Sequence, residues 1–223
     1  MSKVLTRGRP KKDPGSFESR NHQIMDAASK MFAQRGYFNT DLELLAAELG
    51  IGKGTIYRAF ATKEDLFFST INRSLEQMLI FIKDSADAEN AVGVQRIQAG
   101  VKAFLRYFDE NPELIELFMQ ERAVFKTHKC STFWEHTRKN SARWEAFFKE
   151  MMDLGYVRKL DAKWLAETLN QLLFGQVMMH RMNDATETLE SRSNSILTLF
   201  FTGILTGKGL EATAFDAAEG DTV

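Results

Sequence analysis

Apolar residues recur every three or four positions along most of this chain, which is the spacing of one face of an α-helix. The first such segment runs over residues 17–35, and Gly36 follows it in the position of a helix-terminating glycine. Its apolar stripe consists of Ile24, Ala27, Ala28, Met31 and Phe32. The pattern predicts a first helix over 17–35 with one buried face.

Two short helices are predicted next, because polar helix-capping residues and glycines interrupt the apolar pattern at close intervals. Thr40 and Glu43 have the T-x-x-E spacing of a capping box, and Gly50 ends this second helix after about two turns. A third helix is expected over 53–59. Three compact helices thus precede the longer ones.

Longer helices are expected at about 63–84, 92–110, 112–127, 131–154, 161–182 and 186–207. The residues assigned to their ends are Thr62 with Asp65, Asn111 before Pro112, Gly155, Asp161, and Asp184 with Glu187. Only three prolines occur in the chain, so little interrupts helix formation. The predicted fold is all-α, with about nine helices.

The helix lengths suggest an N-terminal three-helix domain followed by a larger helical domain. We expect a flexible basic arm over 1–16, a DNA-binding domain over 17–63, a ligand-binding and dimerisation domain over 64–208, and an acidic tail over 209–223. The charge distribution supports a division of this kind. Residues 1–60 carry a net charge of +4 and the remainder carries −5, as expected when one end of a protein binds a polyanion.

Several classes of protein are disfavoured by what the sequence lacks. The longest nearly apolar run, over 196–205, is too short to span a bilayer, and no apolar segment follows the basic N-terminus. A single cysteine, Cys130, allows no intrachain disulfide. We therefore expect a cytoplasmic protein. No G-x-S-x-G, H-E-x-x-H or dinucleotide-binding motif is present, so we expect neither an enzyme nor a cofactor.

The sequence ELGIGKGTIYRAF, residues 48–60, could belong to a phosphate-binding loop or to a helix-turn-helix. A P-loop requires Gly-Lys-[Ser/Thr] after a buried strand, whereas here Lys53 precedes Gly54 and a helical pattern comes before it. A helix-turn-helix accounts for more residues, because Gly50 can form the tight turn and Ile56 can fill the core. The outward-facing residues are then the hydrogen-bond donors Lys53, Thr55, Tyr57 and Arg58, as a DNA-contacting face requires.

The run ASKMFAQRGYFNTDLELLAAELGIGKGTIYRAFATKEDLF, residues 28–67, resembles the DNA-binding segment of the TetR family of bacterial transcriptional regulators. The resemblance implies an all-α homodimer whose N-terminal domain binds operator DNA and whose C-terminal domain binds a small-molecule inducer. It also implies repression that the inducer relieves. The sequence beyond this run carries no comparably specific signature.

The resemblance also assigns DNA-contacting residues, of which Thr40, Tyr57 and Lys63 would contact phosphate. The full set that it implies within the domain is Thr40, Lys53, Gly54, Thr55, Tyr57, Arg58 and Lys63. Two positions depart from the family pattern, since Gly52 and Asp41 replace common hydroxyl residues. Asp41 would repel phosphate unless it lies at a helix N-terminus, where a carboxylate is favourable.

Arg7 and Arg9 flank a glycine in the N-terminal arm. Arginines suit the negative potential of a narrow minor groove, so these two are further candidates for DNA binding. A solvated basic tail that adds only non-specific phosphate affinity is an equally good interpretation.

The C-terminal region is rich in aromatic residues and methionine, which favours an adaptable apolar pocket and an apolar or aromatic inducer. Core packing remains the more common role for each such residue taken singly. The candidate lining residues are Phe104, Phe108, Phe118, Arg122, Phe125, Trp134, Trp144, Phe147 and Met151.

His128, Cys130 and His136 lie close together in the sequence and offer an alternative, a metal- or redox-responsive regulator. Their spacing matches no strong metal template, so we expect no metal site. A helical enzyme or a protein-binding adaptor is a more remote alternative, and an adaptor leaves the basic arm unexplained.

The last two long helices each contain an internal glycine, which suggests close helix approach. A dimer interface is expected there. The residues assigned to it are Leu169, Leu173, Gly175, Val177, Phe200, Gly203 and Ile204.

Overall fold

The fold is known from a computed structural model, which describes residues 14–127, 130–183 and 186–211. Within these ranges the chain forms ten α-helices, a short 3₁₀ helix and no strand beyond an isolated antiparallel bridge between Val157 and Leu205. The all-α prediction is therefore confirmed. None of the helices in these ranges combines the length and hydropathy that a bilayer span requires.

The structure divides into two compact units between Thr70 and Ile71. The first unit contains α1 (Pro14–Asn39), α2 (Leu42–Glu48), α3 (Lys53–Ala59) and the first part of α4 (Lys63–Ala88). The second contains the rest of α4 and the helices α5 (Gln95–Glu110), α6 (Glu113–Val124), α7 (Thr132–Asp153), α8 (Ala162–Met182), α9 (Ser193–Ile204) and α10 (Gly207–Glu211).

The core of the first unit forms on the predicted apolar stripe of α1. Ile24, Ala28 and Phe32 are fully buried, together with Leu45 of α2 and Ile56 of α3. The Phe32 ring packs at 5.1 Å from Phe67 and at 5.9 Å from Tyr37, measured between ring centroids. These aromatic contacts join the end of α1 to the start of α4.

The helix-end signals in the first unit are partly confirmed. Regular helical geometry in α1 breaks at Gly36, whose φ of +79° only glycine adopts readily. Thr62 and Asp65 form the expected capping box, each side chain accepting the other residue's backbone N–H. The box assigned to Thr40 and Glu43 is wrong, because Asp41 is the N-cap of α2 and accepts the Glu43 N–H at 2.7 Å.

The helix-end predictions in the second unit are likewise correct at some positions and wrong at others. Asp161 caps α8 by accepting the Trp164 N–H at 2.9 Å, and Gly155 has the positive φ, +78°, expected after α7. Asn111 was assigned as an N-cap wrongly: its side-chain amide donates to the Tyr107 carbonyl and so closes the preceding helix, α5. The predicted cap Asp184 lies outside the described residues.

The last long helix is shorter than the expected 186–207. A 3₁₀ turn, Glu190–Arg192, precedes α9, and α9 ends at Ile204. The Asp109 carboxylate accepts the backbone N–H groups of Leu189 and Glu190 at 2.8 and 2.9 Å. This contact across 80 residues holds the start of the 3₁₀ turn, and the α-helix begins only at Ser193.

Candidate functional site

A tight turn between α2 and α3 sets the candidate DNA-binding face. Gly50 adopts a φ of +62°, and the N–H of Ile51 donates to the Ala46 carbonyl at 2.9 Å. Ile56 is buried beneath α3. The side of α3 away from this core exposes Lys53, Gly54, Tyr57 and Arg58, with Thr55 half-buried. This is the predicted helix-turn-helix, with its donors outward.

Lys53 at the start of α3 is held by α2. Its Nζ lies 2.5 Å from Oε1 of Glu43 and 5.8 Å from the centre of the Tyr57 ring. The hydrogen bond to Glu43 is the main cause that raises the pKa of Lys53. The lysine therefore remains charged, but a carboxylate on the neighbouring helix is its partner in the free protein.

Lys63 at the start of α4 lies against the end of α1. Its ammonium donates to the Phe38 carbonyl at 3.1 Å and lies 4.9 Å from the centre of the Tyr37 ring. Burial lowers the pKa of Lys63, and Asp41 opposes this effect. The side chain is half-buried, so one side of its ammonium is already occupied by protein.

Thr40 occupies a different environment from the one the resemblance implies. The side chain is buried, with 4% of its surface exposed, and its hydroxyl donates to the Gly36 carbonyl at 2.8 Å. That bond ties the segment before α2 to the break in α1. Asp41 next to it is exposed and caps α2, so its charge lies at the favourable end of the helix. Arg7 and Arg9 lie outside the described residues.

The second unit contains an apolar cavity, which we call the inner cavity. It contains about 750 Å³ of space not occupied by atoms, including the open solvent at its mouth. Helices α4, α5, α7 and α8 contribute its walls. The lining residues are Leu75, Met78, Leu79, Ile82, Ile97, Gly100, Val101, Phe104, Phe133, His136, Thr137, Asn140, Trp144, Phe148, Ala166, Leu169, Asn170 and Leu173.

The few polar groups of the inner cavity are uncharged. The side-chain amides of Asn140 and Asn170 each donate to a backbone carbonyl one turn earlier, at 2.8 Å, which leaves their carbonyl oxygens as acceptors. Burial lowers the pKa of His136; Glu76 opposes this shift and Lys139 adds to it. The imidazole is therefore neutral at pH 7, and the cavity offers hydrogen bonds without a charge.

His136 should make stability depend on pH. Because its pKa is lower in the folded state than in the unfolded state, the unfolded chain binds more protons as pH falls below about 6.5. Its contribution is complete above that pH and is lost on acidification. We expect the wild type to lose more unfolding free energy between pH 7 and pH 5 than His136→Gln does, measured by urea denaturation. Equal losses in the two proteins would contradict a neutral, desolvated His136.

A second cavity, which we call the outer cavity, adjoins the first. It encloses about 680 Å³, again including its opening. Five residues line both cavities: Leu79, Ile82, Gly100, Asn140 and Trp144. The remaining residues of the outer cavity are Lys83, Ala86, Arg96, Arg143 and Phe147. The outer cavity is therefore lined by cationic side chains, whereas no cationic side chain is among the lining residues of the inner cavity.

Comparisons with known proteins identify the helix-turn-helix unit. A sequence profile described as bacterial regulatory proteins, tetR family, matches residues 24–70. The HTH-type transcriptional regulator HbdR of Aromatoleum sp. (strain CIB) is 39% identical over 64 residues, which cover 29% of this chain and 28% of that protein.

The protein belongs to the TetR family. It is a DNA-binding transcriptional regulator and not an enzyme, as the sequence predicts. The regulator SAUSA300_2515 of Staphylococcus aureus (strain USA300) is 24% identical over 183 residues, covering 80% of this chain and 90% of that protein. FadR of Bacillus subtilis, solved with stearoyl-CoA, superposes with a TM-score of 0.68 at 22% identity, over 82% of this chain and 98% of that one.

The cavities of this TetR-family chain include only some of the predicted ligand residues. Phe104 and Trp144 line the inner cavity, and Phe147 lines the outer one with Trp144. The other six candidates, Phe108, Phe118, Arg122, Phe125, Trp134 and Met151, line neither. Phe118 instead packs among the rings of Phe108, Phe133 and Phe174. The lining residues of α4 and the neutral polar groups His136, Asn140 and Asn170 are not among the predicted residues.

The residues of the metal or redox alternative are described only in part. Within the described residues, no group of three His, Cys, Asp or Glu side chains could hold a metal ion. Cys130 is half-buried, and His136 lines the inner cavity. His128 lies outside the described residues.

The side chains assigned to the dimer interface are mostly inside the chain itself. Leu169, Leu173, Val177, Phe200 and Ile204 are all buried without a second copy, and two of them line the inner cavity. Gly175 is half-buried and Gly203 is exposed. Of the predicted interface residues, only Gly175 and Gly203 are therefore accessible to a second copy in the single chain.

Proposed function

We propose that the protein is a cytoplasmic, homodimeric repressor that leaves its operator when a small ligand enters the inner cavity. The cavity itself carries this proposal. Leu75, Met78, Leu79 and Ile82 line it, and all four belong to α4. The same helix begins in the DNA-binding unit, where Phe67 is part of the core. Movement of α4 on ligand binding would therefore reach both units through one continuous helix.

The cavity favours a ligand with a substantial apolar or aromatic part. Its walls are mainly aliphatic and aromatic, and Phe104 and Trp144 offer ring faces. The structurally similar FadR of Bacillus subtilis, solved with stearoyl-CoA, supports ligand binding by this fold. The acceptor oxygens of Asn140 and Asn170 would orient any donor that the ligand carries.

The DNA contacts are proposed on the exposed face of α3. Lys53, Gly54, Thr55, Tyr57 and Arg58 would contact the operator, with the N-terminal residues nearest the base edges. Lys63 would contact phosphate with the exposed side of its ammonium, and Arg7 and Arg9 would extend the contacts along the DNA. Thr40 would act indirectly, by fixing the segment before α2.

Lys53→Ala should weaken binding to the cognate operator by about 1 to 3 kcal/mol more than binding to random DNA, because a base-edge hydrogen bond exists only at the correct sequence. Competition gel shifts would measure the difference. Glu43→Gln is the matched control: it removes the partner of Lys53 and one negative charge. We expect it to strengthen binding to both DNAs and to steepen the salt dependence by about one unit for each α3 helix bound. Equal weakening of both DNAs by Lys53→Ala would make Lys53 a phosphate contact.

The dimer is proposed to form through exposed apolar residues of α8 and α9. On α8 the residues Trp164, Met179 and Met182 are exposed, and Gly175 lies half-buried on the same side. On α9, Leu199 is 68% exposed and Gly203 lies one turn further along. Large apolar side chains in this arrangement are typical of a covered surface. We call these residues the exposed α8/α9 surface.

A footprinting experiment on the DNA upstream of the protein's own gene would test the proposed function. We expect protection of a palindromic site whose half-sites are about one helical turn apart or slightly more. Small molecules extracted from the host, added during the experiment, should abolish the protection. Protection of a single half-site, or protection insensitive to every extract, would contradict the proposal.

A further inference from the structure

The outer cavity has an unusual distribution of charge. Three of its ten lining residues, Lys83, Arg96 and Arg143, are cationic, and none of the Asp or Glu residues in the described part of the chain lines it. The overall composition of the chain is nearly balanced, with 29 basic and 30 acidic residues. The excess of positive charge is therefore local to the outer cavity, and it favours the binding of an anion there.

Two of these cations have no partner to neutralise them. Arg96 forms an ion pair with Asp87 at 3.2 Å and donates to the Ala91 carbonyl at 3.4 Å. Lys83 and Arg143 are exposed and make no hydrogen bond or ion pair within the part of the chain that the structure describes. Their positive charge is available to a ligand.

The outer and inner cavities adjoin, and their linings change from partly cationic to mainly apolar. Gly100 lines both, and a Cβ at that position would lie 3.8 Å from atoms of Ile82 and Trp144. That is an ordinary van der Waals distance, so the glycine leaves room for about one methyl group between α4, α5 and α7, where the cavities adjoin. A single elongated molecule could occupy both.

We propose that the ligand is an amphipathic anion whose hydrocarbon part fills the inner cavity and whose anionic head lies in the outer cavity between Lys83 and Arg143. This inference rests on the proposed function and specifies its ligand class. The opposite orientation would bury an anion among apolar walls and a neutral histidine, at a high desolvation cost. A cationic head in the outer cavity would be repelled by the unpaired positive charges of Lys83 and Arg143.

Four probes with the same twelve-carbon chain would test the ligand class by isothermal titration calorimetry: dodecanoate, monododecyl phosphate, dodecanol and dodecyltrimethylammonium. Either anion should bind at least about tenfold more tightly than dodecanol, and the cation should bind more weakly than dodecanol. The better anion identifies the head group as carboxylate or phosphate. The preference should decrease at high salt, because the cations are exposed. Dodecanol binding as tightly as both anions would overturn the proposal.

Charge-removing variants would place the head group. Lys83→Gln and Arg143→Gln should each reduce the affinity for the preferred anion by about five- to tenfold, while the affinity for dodecanol stays within about twofold. The control is Arg138→Gln, because Arg138 is an exposed arginine of α7, the helix of Arg143, and does not line the cavity. It should change neither the affinity for the anion nor the affinity for dodecanol. An unchanged anion preference in both variants would overturn the assignment of the head-group site.

The proposed function can fail separately from this inference. If dodecanol or a host extract releases the operator in a gel shift while the anions have no advantage, the ligand class is wrong and the regulator proposal stands. If an anion binds in the cavities as expected but operator binding is unchanged, the site assignment stands and the proposed release mechanism is wrong. Absence of binding by all four probes would overturn the ligand class.

Discussion

Phe32→Ala is expected to destabilise the helix-turn-helix unit by about 3 to 5 kcal/mol, the usual cost of removing a fully buried phenylalanine ring. The ring of Phe32 is completely buried and contacts both Tyr37 and Phe67. Its loss would leave a void where the end of α1 meets the start of α4. Operator affinity should fall with stability, because α3 depends on this core for its position.

Phe38→Ala is the matched control for this substitution, since Phe38 is 76% exposed and lies only six positions further along. We expect it to change stability by about 0.5 kcal/mol or less. Hydrogen exchange measured by mass spectrometry would compare the two variants on peptides from residues 24–35. Phe32→Ala should reduce protection there by about two orders of magnitude or more. Similar protection in both variants would mean that the ring is not part of the unit's stable core.

Several helix ends with a local signal were predicted correctly, although the local signals at Thr40 and Asn111 were misassigned. Gly36 and Gly155 adopt positive φ, and Asp161 and Thr62 bond to backbone N–H groups three residues away. The prediction also failed where a distant group decided the structure. The N–H groups before α9 bond to Asp109, about 80 residues earlier, which no pattern near residue 186 could indicate.

The lining of the inner cavity was predictable only in part, for a related reason. Aromatic content identifies side chains that are removed from water, but it does not distinguish a cavity wall from a filled core. Phe104 and Phe118 illustrate this, because both are buried and only Phe104 lines the inner cavity. The contribution of α4 and the neutral polar groups depends on how the helices pack. The i, i+4 spacing of His136 and Asn140 was the one local signal available.

Residues that are already buried within the single chain cannot be used to test dimer formation by substitution. Leu173 and Phe200, on α8 and α9, are already inside the chain. A glutamate at Leu173 would therefore place a carboxylate without a partner in the chain's own core, at a cost of several kcal/mol to folding. Loss of the dimer in that variant would follow from unfolding and would reveal nothing about the interface.

Leu199→Glu separates these effects, because Leu199 is exposed in the single chain and lies on the exposed α8/α9 surface. If this surface is covered in the dimer, the carboxylate is buried only on association. Dissociation should then become easier by several kcal/mol, more than about a hundredfold in Kd, while helical content and melting temperature of the monomer are retained.

The control for this test is Ile80→Glu, because Ile80 is 59% exposed on α4 and lines neither cavity. It introduces the same charge at an exposed apolar position of α4 rather than of α8 or α9. Sedimentation velocity at micromolar concentration should show monomers for Leu199→Glu and dimers for Ile80→Glu. A dimer retained by Leu199→Glu would exclude this part of α9 from the interface. Because a palindromic operator requires two recognition helices, the Leu199→Glu monomer should also lose most of its affinity for the full site while keeping weak affinity for one half-site.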